Sequence, residues 1–412
     1  VVTPMRDHQR YYPVRKEDGS LMPYFLTVRN GGTKALENVQ HGNEKVLRAR
    51  LDDAKFFFEN DRKKTLEGHR DDLTRINYQE GLGDMRDKAD RLQKLTAFIG
   101  KDWHFTDEEM KDADRAAFLS KSDLATGMVT EFTELQGEMG KEYALLDGEK
   151  PEVAQAIFEQ YMPRFSGDIL PKESIGRALS LADKLDNLSA TFLRGLIPTG
   201  SQDPFALRRQ TIGAVNILTD GKIHWDIRRG IAKALELLPG EQEVKDKVLS
   251  QVEDFFRQRI RAILLDNGIA YDISDAVLAG PVDDIYAIFL KAQAMTESHL
   301  KEEADLRQAV TRLANITKGK TGGKVDPALF EEDAEKNLEA ALAKAMAVEP
   351  LYREYRYADA LPYLKELTAP INDYLDNVMV MVKDEAVKNN RISQLLKTLS
   401  FFDAWGDFSK LV

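Results

Sequence analysis

The chain contains no cysteine. Disulfides, thiolate zinc sites and cysteine nucleophiles are therefore excluded, leaving His, Asp and Glu as the strong metal ligands. Histidine is also scarce: His8, His41, His69, His104, His224 and His299 are the whole set, and none is followed by aspartate. No apolar run approaches the roughly 18 residues that a membrane-spanning helix requires, and no charged-then-apolar leader marks export. The expected location is the cytoplasm, with no membrane partner. Positive charge is in deficit, since 58 Lys and Arg face 69 Asp and Glu for a net charge of −11. A protein that coats nucleic acid indiscriminately relies on neutralising phosphates with cations, and this composition argues against that class without excluding a local basic groove. Also missing are a Gly-x-x-x-x-Gly-Lys phosphate loop, a Gly-x-Ser-x-Gly elbow, a His-Glu-x-x-His pair and any repeat of fixed period.

What is present is enough apolar sequence for a large core. With 412 residues, 43% hydrophobic and 31% charged, the chain is expected to divide into two or three domains. Tyr11-Tyr12-Pro13-Val14 and Tyr24-Phe25-Leu26-Thr27-Val28 flank turn residues at Glu17-Asp18-Gly19-Ser20, which predicts a hairpin. After Gly31-Gly32 the period becomes helical, with Val46, Leu47, Leu51, Ala54, Phe57 and Phe58 on one face. The remainder reads as overwhelmingly α. Leu237-Leu238-Pro239-Gly240 marks a boundary, followed by a long amphipathic helix carrying Val244, Val248, Val252, Phe255, Phe256, Ile260 and Ile263. Val378-Met379-Val380-Met381-Val382 is apolar throughout and is expected to be fully buried. The expected organisation is residues 1–64 as an α+β remnant with hairpin and linking helix, 65–240 as one helical domain and 241–412 as a second. A start at Val1 without methionine leads us to expect a fragment of a longer protein.

The most distinctive segment is Pro198-Thr199-Gly200-Ser201-Gln202-Asp203-Pro204-Phe205-Ala206-Leu207-Arg208-Arg209. Pro198 and Gly200 suit a tight turn, Asp203 suits an N-cap, and Pro204 suits the first helical position. Free amides at such a helix start, with Arg208 and Arg209 beyond, are suited to hold a phosphate. The segment resembles one found in the β subunit of the bacterial glycyl-tRNA synthetases built from separate α and β chains. Gly42-Asn43-Glu44, Ala49-Arg50-Leu51-Asp52-Asp53-Ala54, Thr130 to Gly140, Tyr161-Met162-Pro163-Arg164-Phe165, Ala182-Asp183-Lys184-Leu185-Asp186 and Asn389-Asn390-Arg391 follow the same family's order.

The resemblance implies a mainly α fold: an N-terminal hairpin segment, an HD-like helical domain and a C-terminal helical bundle of the anticodon-binding type, which the family suggests continues as helix through Val378–Val382. It also implies a further N-terminal region in family members. HD hydrolases hold metal with separated His, a His-Asp pair and a later Asp. Asp183 falls where the last aspartate would be, but the other ligands are missing, so no metal and no catalytic residue is expected and Asp183 is read as a structural residue, capping or pairing within the bundle. Lys184, Arg194, Thr199, Ser201, Arg208 and Arg209 are the candidates for contact with the tRNA acceptor arm. In the C-terminal bundle, Arg257, Arg261, Arg312, Asn315, Lys318, Lys320, Asn389, Asn390 and Arg391 are the anticodon candidates, because amide and guanidinium groups read unstacked bases. Arg257, Arg259 and Arg261 cannot all share one groove, and Tyr352, Tyr355 and Tyr357 are expected to pack the bundle.

The family implies that glycyl adenylate forms on the α chain, so ATP and Mg²⁺ are expected there and no cofactor here. The expected function is a tRNA-recognition and assembly subunit of glycine–tRNA ligase, with the α subunit and glycine tRNA as partners. Two other classes are an HD-type metal-dependent nucleotide phosphohydrolase and a purely structural helical scaffold.

Overall fold

A short ribbon is the first regular β structure. In the computed structural model, which describes Val2, Met5, residues 10–298, Leu300 and residues 303–411, strands β1 (Tyr12–Arg15) and β2 (Leu21–Leu26) pair antiparallel with Tyr12 opposite Leu26 and Arg15 opposite Leu21. His8 and His299 lie outside the described residues. Asp18 shapes the turn by accepting from the Ser20 amide at 2.8 Å and the Ser20 hydroxyl at 2.6 Å, and Gly19 takes the left-handed φ of +82° that the turn requires. The ribbon leads into the Leu36–Asp61 helix. The apolar face expected there is only partly covered: Leu47 packs with Met5, Tyr11, Phe25 and Leu51, while Val46 and Phe58 stay exposed.

Two compact units emerge, one of residues 1–217 with 229–249, the other of residues 218–228 with 250–412. The changeover falls inside the Gln242–Asp266 helix, beyond the Pro239–Gly240 turn that marks the boundary in the sequence. In the first unit the Ser174–Leu193 helix is buried along most of its length and packs against the Met85–Asp102, Asp107–Leu119 and Pro151–Glu159 helices. Local chemistry fixes where its neighbours begin. Asp84 and Asp87 form a reciprocal capping box at one, and Thr106 and Glu109 form another, each cap worth about 0.5–2 kcal/mol.

The second unit is also helical. Its Ala304–Thr317 helix packs on Glu385–Asp403, and Asp333–Ala345 packs on Thr368–Asn377. Trp405, Tyr374, Phe256, Phe402 and Phe408 are its largest fully buried side chains. The Val378–Val382 segment departs from expectation. The preceding helix stops at Asn377, and the segment runs on without helix, with Val378 and Val380 buried while Met379 and Met381 are 73% and 58% exposed. A run apolar at every position thus still turns Met379 and Met381 to solvent.

Candidate functional site

The middle of the Ser174–Leu193 helix places three charged residues where apolar ones would ordinarily sit. Asp183, Lys184 and Asp186 are 8%, 4% and 1% exposed. Burying such groups is costly unless each is paired, and the neighbouring elements supply the partners. Lys88, from the Met85–Asp102 helix, lies 2.9 Å from Asp183 Oδ1 and 2.8 Å from Asp186 Oδ2. Arg91, one turn further along, donates from Nε to Asp186 Oδ1 at 2.7 Å. Lys121, just past the Asp107–Leu119 helix with φ of 66°, donates to Asp183 Oδ2 at 2.8 Å and rests 4.0 Å from the centre of the Tyr161 ring. An alternating chain results: Arg91, Asp186, Lys88, Asp183, Lys121.

These contacts govern ionisation. Burial pushes the Asp183 carboxyl up, but the ammonium groups of Lys121 and Lys88 outweigh it and hold it well below the usual carboxylate range. Asp186 is likewise held low by Lys88 and Arg91 against burial, and Lys88 is held high by the two aspartates against its own burial. Lys184 differs. Its Nζ donates to the Met162 carbonyl at 2.6 Å and to Ser180 Oγ at 2.7 Å, both neutral oxygens, and burial pushes it down to about 7.

Asp183 pairs within the bundle, with Lys88 and Lys121. Its donor set does not suit a metal: each carboxylate oxygen already faces an ammonium group, and no cluster of three or more His, Asp or Glu suited to a metal occurs among the described residues. His69 is buried with Nε2 against the Asp61 carbonyl at 2.9 Å.

A cavity of about 380 Å³ opens beside this chain, lined by Asp183, Lys184, Arg164, Arg209, Tyr161 and Phe205 among others. Of the acceptor-arm candidates it therefore brings together Lys184 and Arg209. Arg194 stands apart near Glu80 at 3.8 Å. Thr199 and Ser201 lie in a turn closed by mutual backbone bonds between Thr199 and Gln202, and Arg208 donates to the Gly200 carbonyl of that turn at 2.7 Å. The phosphate-holding helix start is corrected by the structure. The helix begins at Leu207 rather than Pro204, and Asp203 accepts from both the Leu207 and Arg208 amides, at 2.8 and 2.9 Å. A carboxylate already occupies the place an anion would take.

In the second unit the anticodon candidates separate into two kinds. Asn390 and Arg391, buried to 4% and 2% exposure, are internal struts. Asn390 accepts from the Asp326 amide at 2.7 Å and donates to its carbonyl at 3.0 Å. Arg391 bonds Glu335 at 3.1 and 3.2 Å, Glu331 at 2.9 Å and the Met379 carbonyl at 3.0 Å. As side chains free to read bases these two are corrected. Arg261 is held by Asp275, and Arg257 by Glu253 and the Gly280 carbonyl.

The other kind gathers at one end of the bundle. The loop 318–324 is pinned to the Glu385–Asp403 helix by the Gly323 amide on Ser393 Oγ at 2.8 Å and by the Asp326–Asn390 pair. Asn315, Lys318, Lys324 and Asn389 are exposed there and Lys320 is half-buried, and none of their side chains finds a partner among the described residues. Arg312 ties to Asp376 at 2.8 Å in an exposed pair, and Met379 and Met381, a few residues along the chain from Asp376, are exposed. Cations without partners among the described residues suit the backbone of a single-stranded nucleic acid.

The comparisons coincide with this placement. A family model described as "Glycyl-tRNA synthetase beta subunit" matches residues 1–279. The chain belongs to that family. A second model, "DALR anticodon binding domain", matches residues 306–403, which contains most of the bundle end just described. Similar proteins include the glycine–tRNA ligase beta subunits of Desulforamulus reducens, 43% identical over 417 residues, and of Clostridioides difficile, 44% identical over 414 residues, each match taking in 100% of this chain. The Halothermothrix orenii protein of the same name is 44% identical over 403 residues, or 96% of the chain. The chain spans about 60% of the length of these relatives. No helix among the described residues is long and apolar enough to cross a membrane.

Sequence reasoning found Asp183 and Lys184 but missed Lys88, Arg91 and Lys121. A signal was available for one of them: Lys121 lies in Ala116-Ala117-Phe118-Leu119-Ser120-Lys121-Ser122, an apolar and small-residue context unusual for a solvated lysine.

Proposed function

We propose that this chain is the tRNA-recognition and assembly portion of a glycine–tRNA ligase, acting in the cytoplasm beside an α subunit that binds ATP and Mg²⁺ and makes the aminoacyl bond. The second unit engages the anticodon stem-loop through Arg312, Asn315, Lys318, Lys320 and Asn389. The first unit, HD-like in its helices, meets the acceptor arm through Lys184, Arg209 and the turn carrying Thr199 and Ser201, with Arg208 bonded to that turn and Arg194 to one side. The chain's contribution is orientation: fixing a substrate at two places lowers the entropic barrier to a reaction completed elsewhere.

The observation that carries this reading is the coincidence of the anticodon-binding match with a bundle end where Asn315, Lys318, Lys320 and Asn389 have no side-chain partner among the described residues. The charge chain around Asp183 supports a non-hydrolytic first unit, since its carboxylate is committed to two ammonium groups. The division of labour is tested by glycine-dependent ATP–pyrophosphate exchange. The purified chain alone is expected to show none, and exchange that survives chromatography with the chain would refute the assignment of chemistry to the α subunit.

A further inference from the structure

Lys184 lacks the partner that every other buried cation of its cluster has. Lys88, Arg91 and Lys121 each meet a carboxylate at 2.7–2.9 Å. Lys184 meets only the Met162 carbonyl and the Ser180 hydroxyl, and the third proton of its ammonium group has no acceptor among the described residues. Gly213, on the neighbouring Leu207–Asp220 helix, makes room for it: a Cβ there would stand 2.8 Å from Lys184 Cε and 3.1 Å from the Pro163 ring. The side chain borders the cavity of about 380 Å³, within the range of roughly 300–1,000 Å³ usual for small-ligand sites. Arg209 lines the same cavity, is exposed and has no partner among the described residues. Arg164 lines it with one guanidinium nitrogen uncommitted, the others bonding Asp168 at 2.9 and 3.1 Å. Tyr161, Pro163 and Phe205 give apolar walls, and Gln136, Asn187 and Gln210 give amides.

We propose that this cavity is an anion site that takes a phosphate ester, with Lys184 at its inner end and Arg209 at its mouth, and that Lys184 takes up a proton as the phosphate enters. The charges facing Lys184 leave that position open. Asp183 is committed to Lys88 and Lys121, Lys121 itself repels a second cation, Asp168 is committed to Arg164, and Glu134 lies at the cavity wall. A phosphate oxygen supplies the missing negative partner, which favours the charged lysine and couples binding to protonation. The site's existence stands on this geometry alone; only the source of the phosphate, an internal position of an RNA strand or a free nucleotide, touches the tRNA reading.

Calorimetric titration of the full chain with the dinucleotide CpA, whose phosphodiester does not titrate near neutrality, and separately with AMP, tests both parts. At pH 7.5 a lysine at about 7 that becomes fully charged takes up about 0.8 of a proton, read from the change in heat between buffers of different ionisation enthalpy. Affinity is expected to fall severalfold or more from pH 6.5 to pH 8.5. Lys184→Met is expected to abolish binding and uptake, and Arg209→Glu, on the exposed rim and harmless to folding, to weaken binding at least tenfold. Uptake with CpA points to RNA, uptake with AMP alone to a free nucleotide, and either upholds the site. Failure of both probes to bind, binding without proton uptake, or unchanged affinity in Arg209→Glu would overturn it. Anticodon-dependent tRNA binding that persists in that case leaves the tRNA reading intact and removes only the cavity.

Discussion

Replacing Arg391 with alanine separates a structural arginine from an RNA-reading one. Glu335 is fully buried, and its carboxylate accepts from Arg391 at 3.1 and 3.2 Å and from the Glu331 and Glu332 amides at 2.9 Å each. Removing one member of a buried pair leaves an uncompensated charge and costs about 3–5 kcal/mol. For a unit of this size that corresponds to a fall of roughly 6–20 °C in melting temperature. The pH dependence gives the sign. Burial pushes Glu335 up, yet Arg391 and the two amides hold it below the usual range, so its contribution is present above an unfolded value of about 4.3 and is lost as pH falls below it. Without Arg391, burial dominates and the folded carboxyl rises above its unfolded value, so the variant suffers most at neutral pH and the gap from wild type narrows towards pH 4.5. Urea unfolding at pH 7.5 and pH 5 measures both quantities. Joint replacement of Glu335 by leucine and Arg391 by methionine is expected to recover much of the loss. An Arg391→Ala chain that unfolds like wild type while binding tRNA more weakly would refute the structural assignment.

Two further outcomes follow from the same charges. A buried lysine at about 7 binds fewer protons folded than unfolded between there and about 10.5, so it makes stability rise with pH across that window by up to about 1.4 kcal/mol per pH unit. Lys184→Met is expected to remove that slope from urea unfolding measured between pH 7 and 9, and a slope equal to wild type would contradict the burial argument. Changing Lys318, Lys320 and Lys324 together to alanine is expected to leave melting unchanged, because none has an internal partner. The same triple variant should make the dependence of log affinity for tRNA on log salt shallower by roughly 2, and an unaltered dependence would remove the loop from the interface.

The hairpin and the long Gln242–Asp266 helix were legible because their signals are local: alternation around Asp18-Gly19, and an apolar period of three and four. Val378–Val382 was not, since an unbroken apolar run carries no period and its two exposed methionines depend on where the preceding helix ends. Lys88 looks in sequence like any surface lysine, and even Lys121, in its small-residue context, gives no hint of its partner; what buries them is a pair of aspartates about a hundred and about sixty residues away. Asn390 and Arg391 misled for the same reason. Their amide and guanidinium groups suit base recognition, but Asp326 and Glu335 claim them through contacts that only the fold creates. Lys318 and Asn389 stand exposed and Lys320 half-buried, and a polar residue near the surface needs no distant partner to be placed there.

The most direct test of the account is a titration of this chain, at fixed salt, with glycine tRNA and with the same tRNA carrying an exchanged anticodon. The account predicts tighter binding of the authentic molecule by tenfold or more, a difference of at least about 1.4 kcal/mol. Equal affinities for the two would contradict it.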